Sequence, residues 1–270
     1  MKALDKLKKK NGEGKFICVG LDTDIEKIPQ HLNSLNNPIV EFNRQIIETT
    51  AEYVAGYKIN FAFYEKDGNR GLENLSETIS LIPNDVLTIA DAKRGDIGNT
   101  SQMYAKAVFD HFKFDSITVN PYMGKDSVDP FISFSDKMIF ILALTSNAGS
   151  EDFEKLKLDD GLYLFQQVIT KVNQWNKSKN CGLVFGATKI EELKENIDLI
   201  GSLPLLIPGV GAQGGSFEDV VKILSSANRN DYLVNISRGI IYKSKEKDFA
   251  LTAKNEIKGY NNLVRSILKN

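Results

Sequence analysis

The chain is short of the residues that mark special environments. It has two cysteines, Cys18 and Cys181, and two histidines, His31 and His111, in 270 residues. Two cysteines make no disulfide framework, and neither has partners at metal-ligand spacing. Both sit in or beside apolar strand-like runs, which fits buried free thiols in a reducing, cytoplasmic setting. The histidines match no catalytic pattern and read as surface or loop residues. Proline numbers only seven. No linker, low-complexity tract or composition break divides the chain, so one domain over residues 1–270 is expected. No apolar run approaches membrane-spanning length, so no membrane association is expected. The run 16–21 is too short for a signal peptide and is closed by Asp22. Basic and acidic residues nearly cancel, 34 against 35, and the net charge of −1 gives no pull toward nucleic acid. The basic cluster at residues 6–10 reads as a solvated helix face.

What the chain does have is a rhythm. Short apolar runs recur at residues 16–21, 55–60, 86–93, 116–120, 138–145, 181–187, 205–210 and 232–238. Helix-period segments lie between them, as at 39–53, 161–177 and 217–225. Near-continuous apolar strands alternating with amphipathic helices indicate a parallel sheet covered by helices. Eight such units in this length indicate an α/β fold of the (β/α)8 TIM-barrel type. A doubly wound open sheet is the alternative, but no Gly-x-Gly-x-x-Gly follows the first run. The segment before Phe16 and the stretch 23–38 are the least regular parts.

In such barrels catalytic groups sit at the C-terminal ends of the strands. Here those ends carry Asp22, Lys58, Asn60, Asp91, Lys93, Asn120, Thr145, Ser146, Gly209 and Arg238. Any one alone suits a cap or a loop better than catalysis. The run Asp91-Ala92-Lys93-Arg94-Gly95-Asp96 is the most informative. Residues two apart share one face of a strand, so Asp91 and Lys93 are expected to point the same way. Placing both charges there costs free energy unless they pair, and such places are often functional. A structural ion pair is the plainer reading of an isolated Asp-x-Lys.

Two further features point to a phosphate. Pro208-Gly209-Val210-Gly211-Ala212-Gln213-Gly214-Gly215 follows the seventh run, and Arg238 ends the eighth. Glycines let backbone N–H groups approach an anion. A guanidinium suits phosphate, and the loops after strands seven and eight are its usual place in these barrels.

On these residues the chain resembles the orotidine 5′-phosphate decarboxylase family. The most specific part is Asp91-x-Lys93-x-x-Asp96-Ile97-x-x-Thr100. Asp22, Lys58, Ser146, Pro208-Gly209 with Gln213, and Arg238 fall where that family has functional residues. The motif 91–100 and the loop 208–215 look like the longer bacterial branch. In short forms a Gly commonly precedes the phosphate Arg; here Ser237 does. The resemblance implies decarboxylation of orotidine 5′-monophosphate to UMP in pyrimidine biosynthesis, with no cofactor and no metal. It implies a catalytic group of Lys58, Asp91, Lys93 and Asp96, with Asp96 and Thr100 reaching in from the second subunit of a homodimer. Lys93 would stabilise and protonate the C6 carbanion, with Asp91 near the departing carboxylate. Asp22 and Lys58 would hold ribose hydroxyls, and Ser146 the pyrimidine. Gln213 and Arg238 would hold the phosphate, with the loop 209–215 as a lid.

Three other readings compete. A Mg²⁺-dependent sugar-phosphate decarboxylase of the same superfamily would carry an acidic residue where Lys58 stands. A Schiff-base aldolase would need a nucleophilic lysine, whereas an ammonium held beside Asp91 suits a proton donor better. A non-catalytic phosphate-ligand binder would not need all four charged residues.

Overall fold

Eight parallel strands close into a barrel in the computed structural model, which describes residues 1–211 and 213–268. In chain order they are β1 (Ile17–Gly20), β2 (Gly56–Asn60), β3 (Leu87–Arg94), β4 (Ser116–Val119), β5 (Met138–Leu144), β6 (Cys181–Phe185), β7 (Leu205–Pro208) and β8 (Tyr232–Ile236). Each pairs with the next, and β1 pairs with β8 to close the ring. The eight apolar runs are these eight strands. Several overshoot at their C-terminal ends, where polar residues and glycines turn the chain into loops. Arg238 is such a case. It does not end β8; Ser237 intervenes, and Arg238 opens the short helix Arg238–Ile241.

Amphipathic helices cover the outside. Pro38–Thr50 buries Phe42, Ile46 and Ile47, and Phe217–Ser226 buries Phe217, Val220, Val221 and Leu224. Spacings of three and four residues keep one helix face on the sheet. Ser216 caps the second of these by accepting the Asp219 N–H at 3.2 Å.

The strands are buried on both faces, and their period of two still sorts them. Cys18, Leu87, Ile89, Met138, Phe140, Val184, Leu206 and Leu233 pack together inside the barrel. Ile17, Val19, Ile117, Ile139, Ile141, Leu183, Leu205 and Val234 join the larger core beneath the helices. Both thiols are buried, and burial pushes Cys18 up to about 12, so it is an inert filler beneath the site.

The segment before β1 is more ordered than its sequence suggests. Residues Ala3–Gly12 form a helix whose Ala3 and Leu7 complete the inner core. The reading of residues 6–10 as a solvated face fails for two lysines. Lys6 and Lys10 are buried, paired with Asp115 at 2.8 Å and Asp85 at 2.7 Å. Asp115 also accepts from the Thr88 N–H and hydroxyl, both at 3.0 Å. Their long stems cross apolar surface while their ammonium groups find carboxylates.

Candidate active site

The cavity at the C-terminal end of the barrel, of about 300 Å³, is lined by residues from all eight strands or the loops after them. Its charged wall comes from β1, β2 and β3. Lys58 Nζ lies 2.8 Å from Asp91 Oδ2 and 3.5 Å from Asp22 Oδ1. Lys93 Nζ meets the other oxygen of Asp91 at 2.5 Å. One carboxylate is thus held between two ammonium groups. The two differ in access: the Lys58 side chain is 5% exposed and that of Lys93 is 50% exposed. Burial alone would favour neutral Lys58, but Asp91 and Asp22 outweigh it and hold its pKa above the ordinary lysine value. Burial likewise opposes ionisation of Asp91, yet Lys58 and Lys93 hold its carboxyl well below the usual carboxylate range.

Asp91 and Lys93 do share the cavity, but not by regular alternation. Ala90 pairs with Ile117 and Arg94 with Val119, so three residues of β3 stand opposite Thr118 alone. Within this bulge Lys93 has φ +45°, a left-handed conformation that a side chain disfavours. Arg94 turns away from the cavity. It pairs with Glu65 and lies over the rings of Phe61 and Tyr104.

The floor is different in kind. Leu142, Val184 and Leu206 line it, a low-dielectric surface below the charges. At the rim, the Ser146 hydroxyl donates to Gln213 Oε1 at 2.5 Å. Gly209 makes this contact feasible: its φ is +102°, and a Cβ there would lie 2.8 Å from that oxygen and 3.0 Å from Ser146 Cβ. The loop is closed by Gly211 N–H to Gly215 O at 3.0 Å and Gly215 N–H to Gly209 O at 3.1 Å. Ala212 of this loop lies outside the described residues. Arg238 is exposed on the same rim and has no carboxylate at ion-pair distance among the described residues. Ser237, before it, donates to Gly20 O at 3.0 Å, and a Cβ on Gly20 would come 2.7 Å from that of Ser237.

Of the expected site residues, Asp22, Lys58, Asp91, Lys93, Ser146, Pro208, Gly209, Gln213 and Arg238 all line this one cavity. Asp96 and Thr100 do not. Asp96 turns back to accept the Ile97 N–H at 2.8 Å, and Thr100 is exposed in the first turn of the helix Gly98–Lys106. His31 and His111 are likewise outside the cavity. Among the described residues, no group of three His, Cys, Asp or Glu side chains is placed to hold a metal ion.

The family model described as Orotidine 5'-phosphate decarboxylase / HUMPS family matches residues 15–252. The chain belongs to this family. It is 49% identical over 254 residues to an orotidine 5'-phosphate decarboxylase of Dehalococcoides mccartyi, covering 93% of this chain and 92% of the relative. It is 48% identical over 244 residues to that of Porphyromonas gingivalis, covering 89% and 88%. The solved structure of Leishmania donovani OMP decarboxylase superposes with a TM-score of 0.84 at 34% identity, covering 98% of this chain and all of that one.

Among the cavity residues of this decarboxylase-family chain that its sequence did not single out are Asn235 and Thr118. Asn235 is a polar residue in the middle of the apolar run of β8, which was a usable signal. It is 7% exposed, and its Oδ1 is buried without a hydrogen-bond partner among the described residues. Thr118 gave no local signal, since threonine is an ordinary strand residue.

Proposed function

We propose that this chain decarboxylates orotidine 5′-monophosphate to UMP, the pyrimidine-nucleotide step of its family, with Lys93 as the proton donor. The observation that carries the reading is the row Lys58–Asp91–Lys93 on the cavity wall, in which the Lys93 side chain is half exposed and that of Lys58 is buried. Lys58 balances Asp91 from below, so the cavity needs no uncompensated buried charge. In the reaction the C6–carboxylate bond breaks, its electron pair stays on C6, and CO2 leaves. The fixed ammonium of Lys93 stabilises that pair and then delivers a proton to C6. Family membership and the ammonium at the position of Lys58 favour this reading over a Mg²⁺-dependent sugar-phosphate decarboxylase or a Schiff-base aldolase. The chemistry assigned here uses no cofactor.

The remaining roles follow from what each group has free. Asp22 Oδ1 is buried and, among the described residues, accepts no hydrogen bond, which leaves it for a ribose hydroxyl beside Lys58. Ser146 and Gln213 hold each other and would turn to pyrimidine and phosphate, with the loop of Pro208 and Gly209 as lid. Arg238, without a carboxylate partner among the described residues, suits the phosphate dianion.

A homodimer completes the site in this reading. Asp96 and Thr100 stand outside their own chain's cavity, beside exposed Ile97, Met103 and Tyr104. Tyr122 and Met123 are exposed on the neighbouring loop, and the two segments are tied by Ser101 donating to Ser127 O at 2.6 Å. An apolar patch of this kind favours a second copy, which would receive Asp96 and Thr100. We read the chain as one domain. A cytoplasmic location is supported by its two buried, unpaired thiols, and no helix of the described residues is long and apolar enough to cross a membrane.

The test is spectrophotometric. Purified chain mixed with orotidine 5′-monophosphate should consume it and release UMP in equal amounts. No turnover at saturating substrate would overturn the proposal.

A further inference from the structure

We infer that Thr118 is a positioning residue, whose hydroxyl fixes both Asp91 and the backbone of Lys93 in the geometry that the reaction uses. Thr118 is 1% exposed and stands on β4 opposite the bulge of β3. Because three residues of β3 face it alone, the Lys93 N–H is displaced from the regular strand ladder. That N–H donates instead to Thr118 Oγ1 at 3.0 Å. The hydroxyl has a single proton, which goes to Asp91 Oδ1 at 3.1 Å. One side chain therefore ties the main chain of Lys93 to the carboxylate that Lys93 itself grips.

The chemistry of the position supports more than packing. Leu142, Val184 and Leu206 line the same cavity from β5, β6 and β7, and all are apolar. A valine would fill the volume of Thr118 equally well but would leave the part-buried Lys93 N–H without this partner. It would also remove one of the three side-chain donors to Asp91, the others being Lys58 and Lys93. The left-handed φ of Lys93 is intrinsically unfavourable, and it persists only while its surroundings over-determine it. Loss of the clamp lets the bulge relax and swings the ammonium away from its aim. Such a displacement acts on the bond-breaking step, where placement is most demanding, and little on substrate binding, which rests on Arg238 and the ribose contacts.

This inference rests on the decarboxylase reading, and its test separates the two. Measure kcat, KM and UMP affinity for wild type, Thr118→Val and Thr118→Ser, and solve both variant crystal structures. Thr118→Val should lose about tenfold or more in kcat, with KM and UMP affinity within about threefold of wild type. Thr118→Ser, which keeps the hydroxyl, should recover most of the loss. In the Thr118→Val crystal, Lys93 should leave the left-handed region or its Nζ should leave Asp91. A kcat within threefold of wild type, or equal losses in both variants, would overturn the inference. So would an unchanged Lys93 in the Thr118→Val crystal, whatever its activity. A wild type without decarboxylase activity would instead sink the proposed function, and the crystal comparison would still decide the clamp.

Discussion

Lys93 reaches back along its own strand to Asp91, Nζ to Oδ1 at 2.5 Å, while Lys58 holds the opposite oxygen of the same carboxylate. The arrangement makes Asp91 a fixed anion and gives its ionisation a role in folding. Its pKa is depressed by the two lysines, so the stability it contributes is present above the unfolded carboxylate value of about 3.9. That stability is lost as the pH falls toward the folded value. Asp91→Asn should cost about 3 kcal/mol at pH 7, because Lys58 keeps only the distant Asp22. The gap between wild type and variant should narrow below about pH 4. Denaturant unfolding across pH 3–7 measures it; a gap independent of pH would contradict the linkage.

Arg238 should matter for the phosphate alone. Arg238→Ala should weaken UMP binding by at least about tenfold, the loss of a charged hydrogen bond. Uridine, which lacks the phosphate, should bind both forms equally. Calorimetry with the two ligands checks this. Equal losses would remove Arg238 from the phosphate site.

At the other end of the barrel, Lys6 should be a stability residue only. Lys6→Met leaves Asp115 buried without its cation and should cost about 3 kcal/mol in unfolding free energy. The cavity lies at the opposite rim, so kcat should not change. A solvated lysine would give no measurable cost.

The proposed shared site makes a prediction about mixtures. Lys93→Ala and Asp96→Ala subunits should each be inactive as homodimers. After exchange, hybrid dimers carry one doubly damaged site and one intact site. Random reassortment makes about half the dimers hybrid and restores roughly a quarter of wild-type sites. Verified exchange with no recovered activity would place Asp96 in its own chain's site.

The barrel was legible because parallel strands buried on both faces give apolar runs that need no partner to be seen. Asp91 and Lys93 were legible because charges rarely end such runs. What stayed hidden depends on pairing across the chain. Lys6 and Lys10 find carboxylates 109 and 75 residues away, and nothing local distinguishes them from solvated lysines. The bulge exists only in the register between β3 and β4, so neither the left-handed Lys93 nor Thr118 could be read from residues 86–93. The eighth strand was read two residues too long: β8 ends at Ile236, and Arg238 opens the following short helix, a boundary that no glycine or proline marks in the sequence. The places of Asp96 and Thr100 came from the family motif, since one chain's fold leaves them outside the cavity.

The central claim is that the exposed ammonium of Lys93 stabilises and protonates C6. Its most direct test is single-turnover decarboxylation by Lys93→Ala, alongside UMP affinity. The expected result is a rate lower by about 10³-fold or more, with UMP affinity within about tenfold of wild type. A rate within tenfold of wild type would contradict the claim.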